Sequence, residues 1–78
     1  MKDLVQFLAK SLVNNPDAVE VEETRGGDGS VLKLKVAKED LGRIIGRQGR
    51  TAKSIRALLN AAASRGNRKV VLEIVEEN

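Results

Sequence analysis

The chain contains no cysteine and no histidine, and its only aromatic residue is Phe7. Without thiols or imidazoles there is no disulfide framework, no thiolate chemistry and almost no transition-metal site, a pattern that fits a reducing cytoplasm. Catalysis would be left to a carboxylate pair, a Ser/Lys pair or an activated tyrosine. Tyrosine is absent, and the acids fall on outward strand faces, in a first helical turn or in the tail. The expectation is a non-enzyme with no cofactor, no metal and no small-molecule substrate. One phenylalanine also excludes aromatic platforms that stack bases on several rings. No apolar run exceeds three residues, Phe7-Leu8-Ala9 being one, so neither a membrane span nor a signal peptide is expected.

What is present is a 78-residue chain, 41% hydrophobic and 32% charged, the composition of one small folded domain over residues 1–78. A chain of this size buries only about 60% of its unfolded surface, so a partner surface or self-association would help it. The net charge of +3 is unevenly spread. Residues 38–69 hold nine Lys/Arg against two Asp/Glu, a net +7, while residues 1–37 carry −1 and residues 70–78 carry −3. Positive charge concentrated in one stretch repels itself until an anion binds, which points to a polyanionic partner.

Hydrophobic spacing gives the elements. Leu4, Val5, Leu8 and Leu12 recur at helical intervals over residues 2–13, and Asn14-Asn15-Pro16-Asp17 stops that helix. Val19 and Val21, then Leu32, Leu34 and Val36, alternate with charged residues around Gly26-Gly27-Asp28-Gly29, predicting a hairpin with charge pairs on its outer face. A short helix is expected over 39–45, with Glu39 and Asp40 in its first turn, and a longer one over 50–64 with Ala52, Ile55, Leu58, Leu59 and Ala62 on one face. Gly66 is the expected left-handed cap of that helix. Val70, Leu72 and Ile74 form a last strand, with residues 76–78 a frayed tail. Helix, strand, strand, helix, helix, strand predicts an α+β two-layer sandwich, a three-stranded mixed sheet covered on one face by three helices.

The chemically informative segment runs from Leu41 to Ile55. Gly46 and Gly49 bracket Arg47 and Gln48 in a tight helix-to-helix bend, where missing Cβ atoms let a foreign backbone approach and permit positive φ. The helix beyond offers unpaired amides and a partial positive charge to a phosphate, joined by the amides of Arg47 and Gln48. Arg47 and Arg50 add formal charge, with Lys53 about one turn along. Ile44 and Ile45 provide an apolar floor for bases, one of the pair being core; sequence does not say which. Arg43 and Arg56 read as solvated helix charges. A P-loop is rejected because position 50 is Arg and position 44 is Ile, and a dinucleotide fingerprint because position 44 lacks glycine and no strand precedes it.

Ile45-Gly46-Arg47-Gln48-Gly49 with Ile55 resembles the I-G-x-x-G core of a KH domain, whose GxxG loop clamps about four nucleotides. The extra helix ahead of the hairpin is similar to the type II, prokaryotic, arrangement. The length, the Asn15-Pro16-Asp17 turn, and the run from Ile44 to Arg50 with Ala52-Lys53 and Ile55-Arg56 resemble the KhpA family of small bacterial KH proteins. Thr51 stands where an aliphatic residue is expected in that family. The resemblance implies a cytoplasmic RNA-binding protein or RNA chaperone. It also implies a homodimer, or pairing with a larger KH partner, KhpB (also called Jag). Single-stranded RNA would lie between the two helices and a sheet edge, held by Ile44, Ile45, Gly46, Arg47, Gln48, Gly49, Arg50 and Lys53. Two other readings are a protein-interaction adaptor and a helix-turn-helix DNA binder over residues 39–63. The latter is disfavoured because a sheet edge beside the second helix narrows its approach to a major groove.

Overall fold

Alternation of apolar and charged residues builds two antiparallel strands, β1 (Glu20–Gly26) and β2 (Gly29–Val36), in register from Glu20 opposite Lys35 to Gly26 opposite Gly29. The computed structural model describes residues 1–27, 29–66 and 68–76. Leu32, Leu34 and Val36 point inward and have no exposed surface, with Val19 and Val21 buried beside them. The outward residues match by charge: Lys35 Nζ lies 3.8 Å from Glu20 Oε2, and Lys33 stands opposite Glu22. Such exposed pairs contribute little stability, about 0–1 kcal/mol each, and act mainly on register.

A third strand, β3 (Lys69–Glu76), joins the other side of β2 in parallel, giving the order β1-β2-β3 with β1 and β3 as edges. Parallel neighbours need a crossover. Here the crossover is two helices, α2 (Leu41–Ile45) and α3 (Arg50–Ser64), packed on one face together with α1 (Lys2–Leu12). Val5 and Ala9 of α1, Ile44 of α2, and Ile55 and Leu59 of α3 close over the inward side chains of the sheet. The sandwich expected from the sequence is the one observed.

Several details differ from expectation. The buried stripe of α3 is Ala52, Ile55, Leu59 and Ala63, while Leu58 is 48% exposed and Ala62 is open. At roughly 100° per residue, positions 58 and 62 fall to one side of the line through 52, 55, 59 and 63 that the sheet covers. On α1 the fully covered residues are Val5 and Ala9, with Leu12 at the margin. Gly66 does not adopt positive φ; the glycines that do are Gly27, Gly46 and Gly49. The end of α3 is closed instead by the Ala63 carbonyl, which accepts from the amides of both Gly66 and Arg68. Glu76 is not frayed but paired with Val36 in the sheet, and residues 77–78 of the expected tail lie outside the described residues.

The short helix begins as a 3₁₀ turn over Lys38–Asp40. Asp40, expected to serve its own helix, is 1% exposed and turns toward the end of α1. Its Oδ1 accepts from the Asn14 amide at 3.1 Å, and its Oδ2 from the Asn15 amide at 3.0 Å and Asn15 Nδ2 at 2.9 Å. Burial pushes the Asp40 carboxyl up. The Asn15 side chain, the two amides and the Arg43 charge outweigh that, so its pKa lies below the ordinary value. One buried carboxylate thus ties the turn after the first helix to the entry of α2.

Candidate nucleic-acid interface

The segment from Gly46 to Gly49 is held in a conformation that few residues adopt. Gly46 ends α2 at φ 78°, ψ 173°, a region essentially restricted to glycine, and Gly49 lies at φ 74°, ψ 11°. Between them Gln48 is left-handed at φ 58°, ψ 26°, the single non-glycine residue with positive φ among those described. Such a placement costs about 1–2 kcal/mol and marks a strained bend. The flanks hold it in place. Ile44 before it has no exposed surface, and Ala52 and Ile55 after it are buried.

The two glycines are required for different reasons. A Cβ on Gly46 would overlap the Thr51 hydroxyl, and would lie 2.6 Å from Thr51 Cβ and 2.8 Å from the Thr51 amide nitrogen. Its bare α-carbon therefore makes room for the start of α3, not for a foreign backbone. A Cβ on Gly49 would meet nothing within 4 Å. Gly49 is the glycine that faces open space.

Closing the bend uses the amides of Gly46 (to Gly42 O, 2.8 Å), Gly49 (to Gly46 O, 3.1 Å) and Arg50 (to Arg47 O). Arg47 and Gln48 are the first two residues of this 3₁₀ turn, so their amides have no acceptor within it. Beyond them α3 starts without a capping side chain or an acid in its first turn, so its leading amides retain their pull on an anion. Arg47, Gln48, Arg50 and Lys53 are solvent-accessible. Among the described residues the ion pairs are Arg25–Glu23 and Lys35–Glu20, so none of Arg47, Arg50 and Lys53 is neutralised by a described carboxylate. The Ile44/Ile45 ambiguity is resolved: Ile44 belongs to the core and is out of a ligand's reach, whereas Ile45 is 38% exposed beside the bend.

A concave surface lies further along α3. A cavity of about 180 Å³ opens between α3 and the edge strand β3, lined by Arg56, Leu59, Asn60 and Val70–Leu72. Arg56, expected to be a solvated charge, donates from Nη2 to the carbonyl of Leu72, on the edge strand β3, at 3.4 Å. Asn60 and the β3 segment lie outside the set of residues that the sequence alone nominates. The signal available was the row Lys53, Arg56, Asn60, polar at helical spacing on one side of α3. A larger cavity, about 470 Å³, lies elsewhere, around β1 with Lys2 and Gln6 of α1. A row of cations thus runs from a strained, amide-rich bend onto a groove walled by a helix and a strand edge, an arrangement suited to an extended polyanion.

A glycine-bracketed bend between two helices, on an α-β-β-α-α-β sandwich with a mixed sheet, defines a KH domain of the type II order. Comparison with known proteins agrees. Residues 2–74 match the family model described as KhpA/KhpB, KH domain. The RNA-binding protein KhpA of Clostridium perfringens is 52% identical over 75 residues, spanning 96% of this chain and all of that protein. The protein of the same name from Chlamydia caviae is 48% identical over 77 residues, 99% of each chain. That from Borreliella burgdorferi is 45% identical over 74 residues, 95% of this chain and 90% of its own length. The chain belongs to the KhpA/KhpB family of KH domains.

Proposed function

We infer that this protein binds single-stranded RNA through the Gly46–Gly49 bend and the groove between α3 and β3, as an RNA-binding protein or RNA chaperone and not as an enzyme. The observation that carries this reading is the bend itself: two leading amides with no acceptor within their own turn, an uncapped helix start, and Arg47, Arg50 and Lys53 accessible without carboxylate partners among the described residues. About four nucleotides would be held, with phosphates on the amides and cations and bases against Ile45 and the groove. Phosphate contacts fix the position of the strand, and any base preference comes from the groove. The names of the relatives support RNA as the ligand. No cofactor or metal is required.

A single small site of this kind binds weakly, and a second copy raises affinity by avidity. We therefore extend the proposal to a homodimer, or a pair with a KhpB-type KH protein, acting in the cytoplasm. Phe7, 68% exposed, and Leu58, 48% exposed, are apolar surface that association would cover.

The test is the double variant Arg47→Asp with Gln48→Asp. Both positions are solvent-accessible, and aspartate tolerates the left-handed conformation found at Gln48. The expected result is loss of binding to a short RNA in a fluorescence-anisotropy titration, with the circular-dichroism spectrum preserved. Binding equal to the parent's would remove the bend as the site, and loss of RNA binding with cellular function intact would favour the adaptor reading.

A further inference from the structure

The positive stretch has a second end, remote from the bend. At the start of β3, Arg68 and Lys69 are exposed, and among the described residues neither enters an ion pair. Arg68 lines a cavity of about 200 Å³ on the helix side of the hairpin end, together with Val70. Lys69 lines another of about 290 Å³ on the outer side, together with Val71. The α3–β3 groove shares Val70 with the first of these cavities and Val71 with the second, so both adjoin it at β3. Glu23, the one carboxylate among the described residues that lines the cavity with Arg68, already faces Arg25 at 3.3 Å. The next acid on β3, Glu73, is on the outer face in register with Lys33. Between Arg50 at one end and Ser64 at the other, α3 spans about 22 Å at 1.5 Å per residue.

We propose that Arg68 and Lys69 form a second phosphate anchor, which holds the far end of a nucleic-acid strand already clamped at the bend and extends the footprint along the whole of α3. The proposal rests on the nucleic-acid reading above and deepens it. The groove directs a strand leaving the bend toward these two cations, and their charge is unanswered by the described residues of the protein. The remaining β3 edge offers backbone groups but no cation between Lys69 and Glu76. The loop-held tetranucleotide ends short of this anchor, and a strand of about eight nucleotides reaches it, within the range of site sizes seen for small single-strand binders.

The experiment compares a tetranucleotide with an octanucleotide, as oligouridylate, across a salt series. The proteins are the parent, Arg68→Glu with Lys69→Glu, and Arg68→Gln with Lys69→Gln in case reversal of charge perturbs the hairpin end. Each phosphate neutralised on a single strand contributes roughly −0.7 to the slope of log affinity against log salt. The parent should show a slope for the octamer steeper by about 1.4 than for the tetramer. Both variants should lose that difference while binding the tetramer as the parent does. An octamer slope unchanged in the variants overturns the second anchor but leaves the bend as the site. Loss of both oligonucleotides by Arg47→Asp with Gln48→Asp, with the parent's octamer slope equal to its tetramer slope, also overturns it. Failure of the parent to bind either strand refutes the underlying reading instead.

Discussion

Replacing each bend glycine by alanine separates two requirements that the sequence presents as one. At Gly49 the new methyl meets nothing within 4 Å and the backbone lies in the left-handed helical region. The cost there is the left-handed penalty of about 1–2 kcal/mol, reduced by about 0.4–1 kcal/mol because alanine restricts the unfolded chain. A net loss of about 1 kcal/mol follows. At Gly46 the backbone sits in a region worth about 1–3 kcal/mol of strain for any other residue. The methyl must also displace Thr51, whose amide nitrogen lies 2.8 Å from the Cβ position. Moving that nitrogen moves the first turn of α3, so we expect a loss of about 3 kcal/mol or more, a large share of the roughly 4–12 kcal/mol available to a chain of this length. Unfolding in urea, followed by circular dichroism because the chain has neither tryptophan nor tyrosine, measures both. Adding Thr51→Ala to Gly46→Ala should restore only part of the loss, since the amide remains in the way. Equal destabilisation by the two single variants, or full rescue by Thr51→Ala, would refute the assignment of Gly46 to internal packing.

Two further outcomes follow from side-chain contacts. Asp40→Asn should lower the urea midpoint at neutral pH. Because the folded Asp40 pKa lies below its unfolded value, the carboxylate's contribution is complete above the ordinary value of about 3.9 and fades as pH falls through the folded value. The gap between parent and variant should therefore close in acid, and a gap that widens below about pH 4 would contradict the tether. Arg56→Met should change stability by no more than about 0.5 kcal/mol, its bond to Leu72 being long and made by an exposed side chain. If Arg56 gives up that bond to a phosphate, the same variant lowers the salt slope of RNA binding by roughly 0.7; an unchanged slope would confine Arg56 to bracing the strand edge.

The layout of the domain could be read in the sequence where a local period carries the information. Leu32, Leu34 and Val36 alternate because one face of β2 is buried, and Ala52, Ile55 and Leu59 recur because one stripe of α3 is covered. Long-range contacts could not be read. Asp40 looks like an ordinary first-turn acid, and only the fold brings it against Asn14 and Asn15, some 25 residues away in sequence. The parallel pairing of β2 with β3 makes Leu72 an edge residue, and without that fact Arg56 reads as a solvent charge. Within the bend the glycine pattern identified the segment, yet the clash that excludes a side chain at Gly46 depends on how α3 folds back. Ile44 and Ile45 are chemically identical, and only the direction in which α2 presents them assigns one to the core.

These long-range contacts also explain how a thin core supports a strained loop. The left-handed Gln48 and the positive-φ Gly46 would relax if either flank were free to move. Ile44 is locked in one cluster with Leu32, Leu34 and Leu59, while Ala52 and Ile55 fix the other side of the bend. Asp40 holds the entry of α2 from a separate part of the chain. The strain is therefore met on folding, before any ligand arrives. A strand that docks on a fixed bend loses less ordering entropy than one that must shape it. Docking as proposed would also relieve the mutual repulsion of Arg47, Arg50 and Lys53, which no carboxylate among the described residues offsets. In this architecture the hydrophobic core does more than keep the chain folded: it fixes the amides and cations of the bend in the positions where, under the proposed function, a phosphate would meet them.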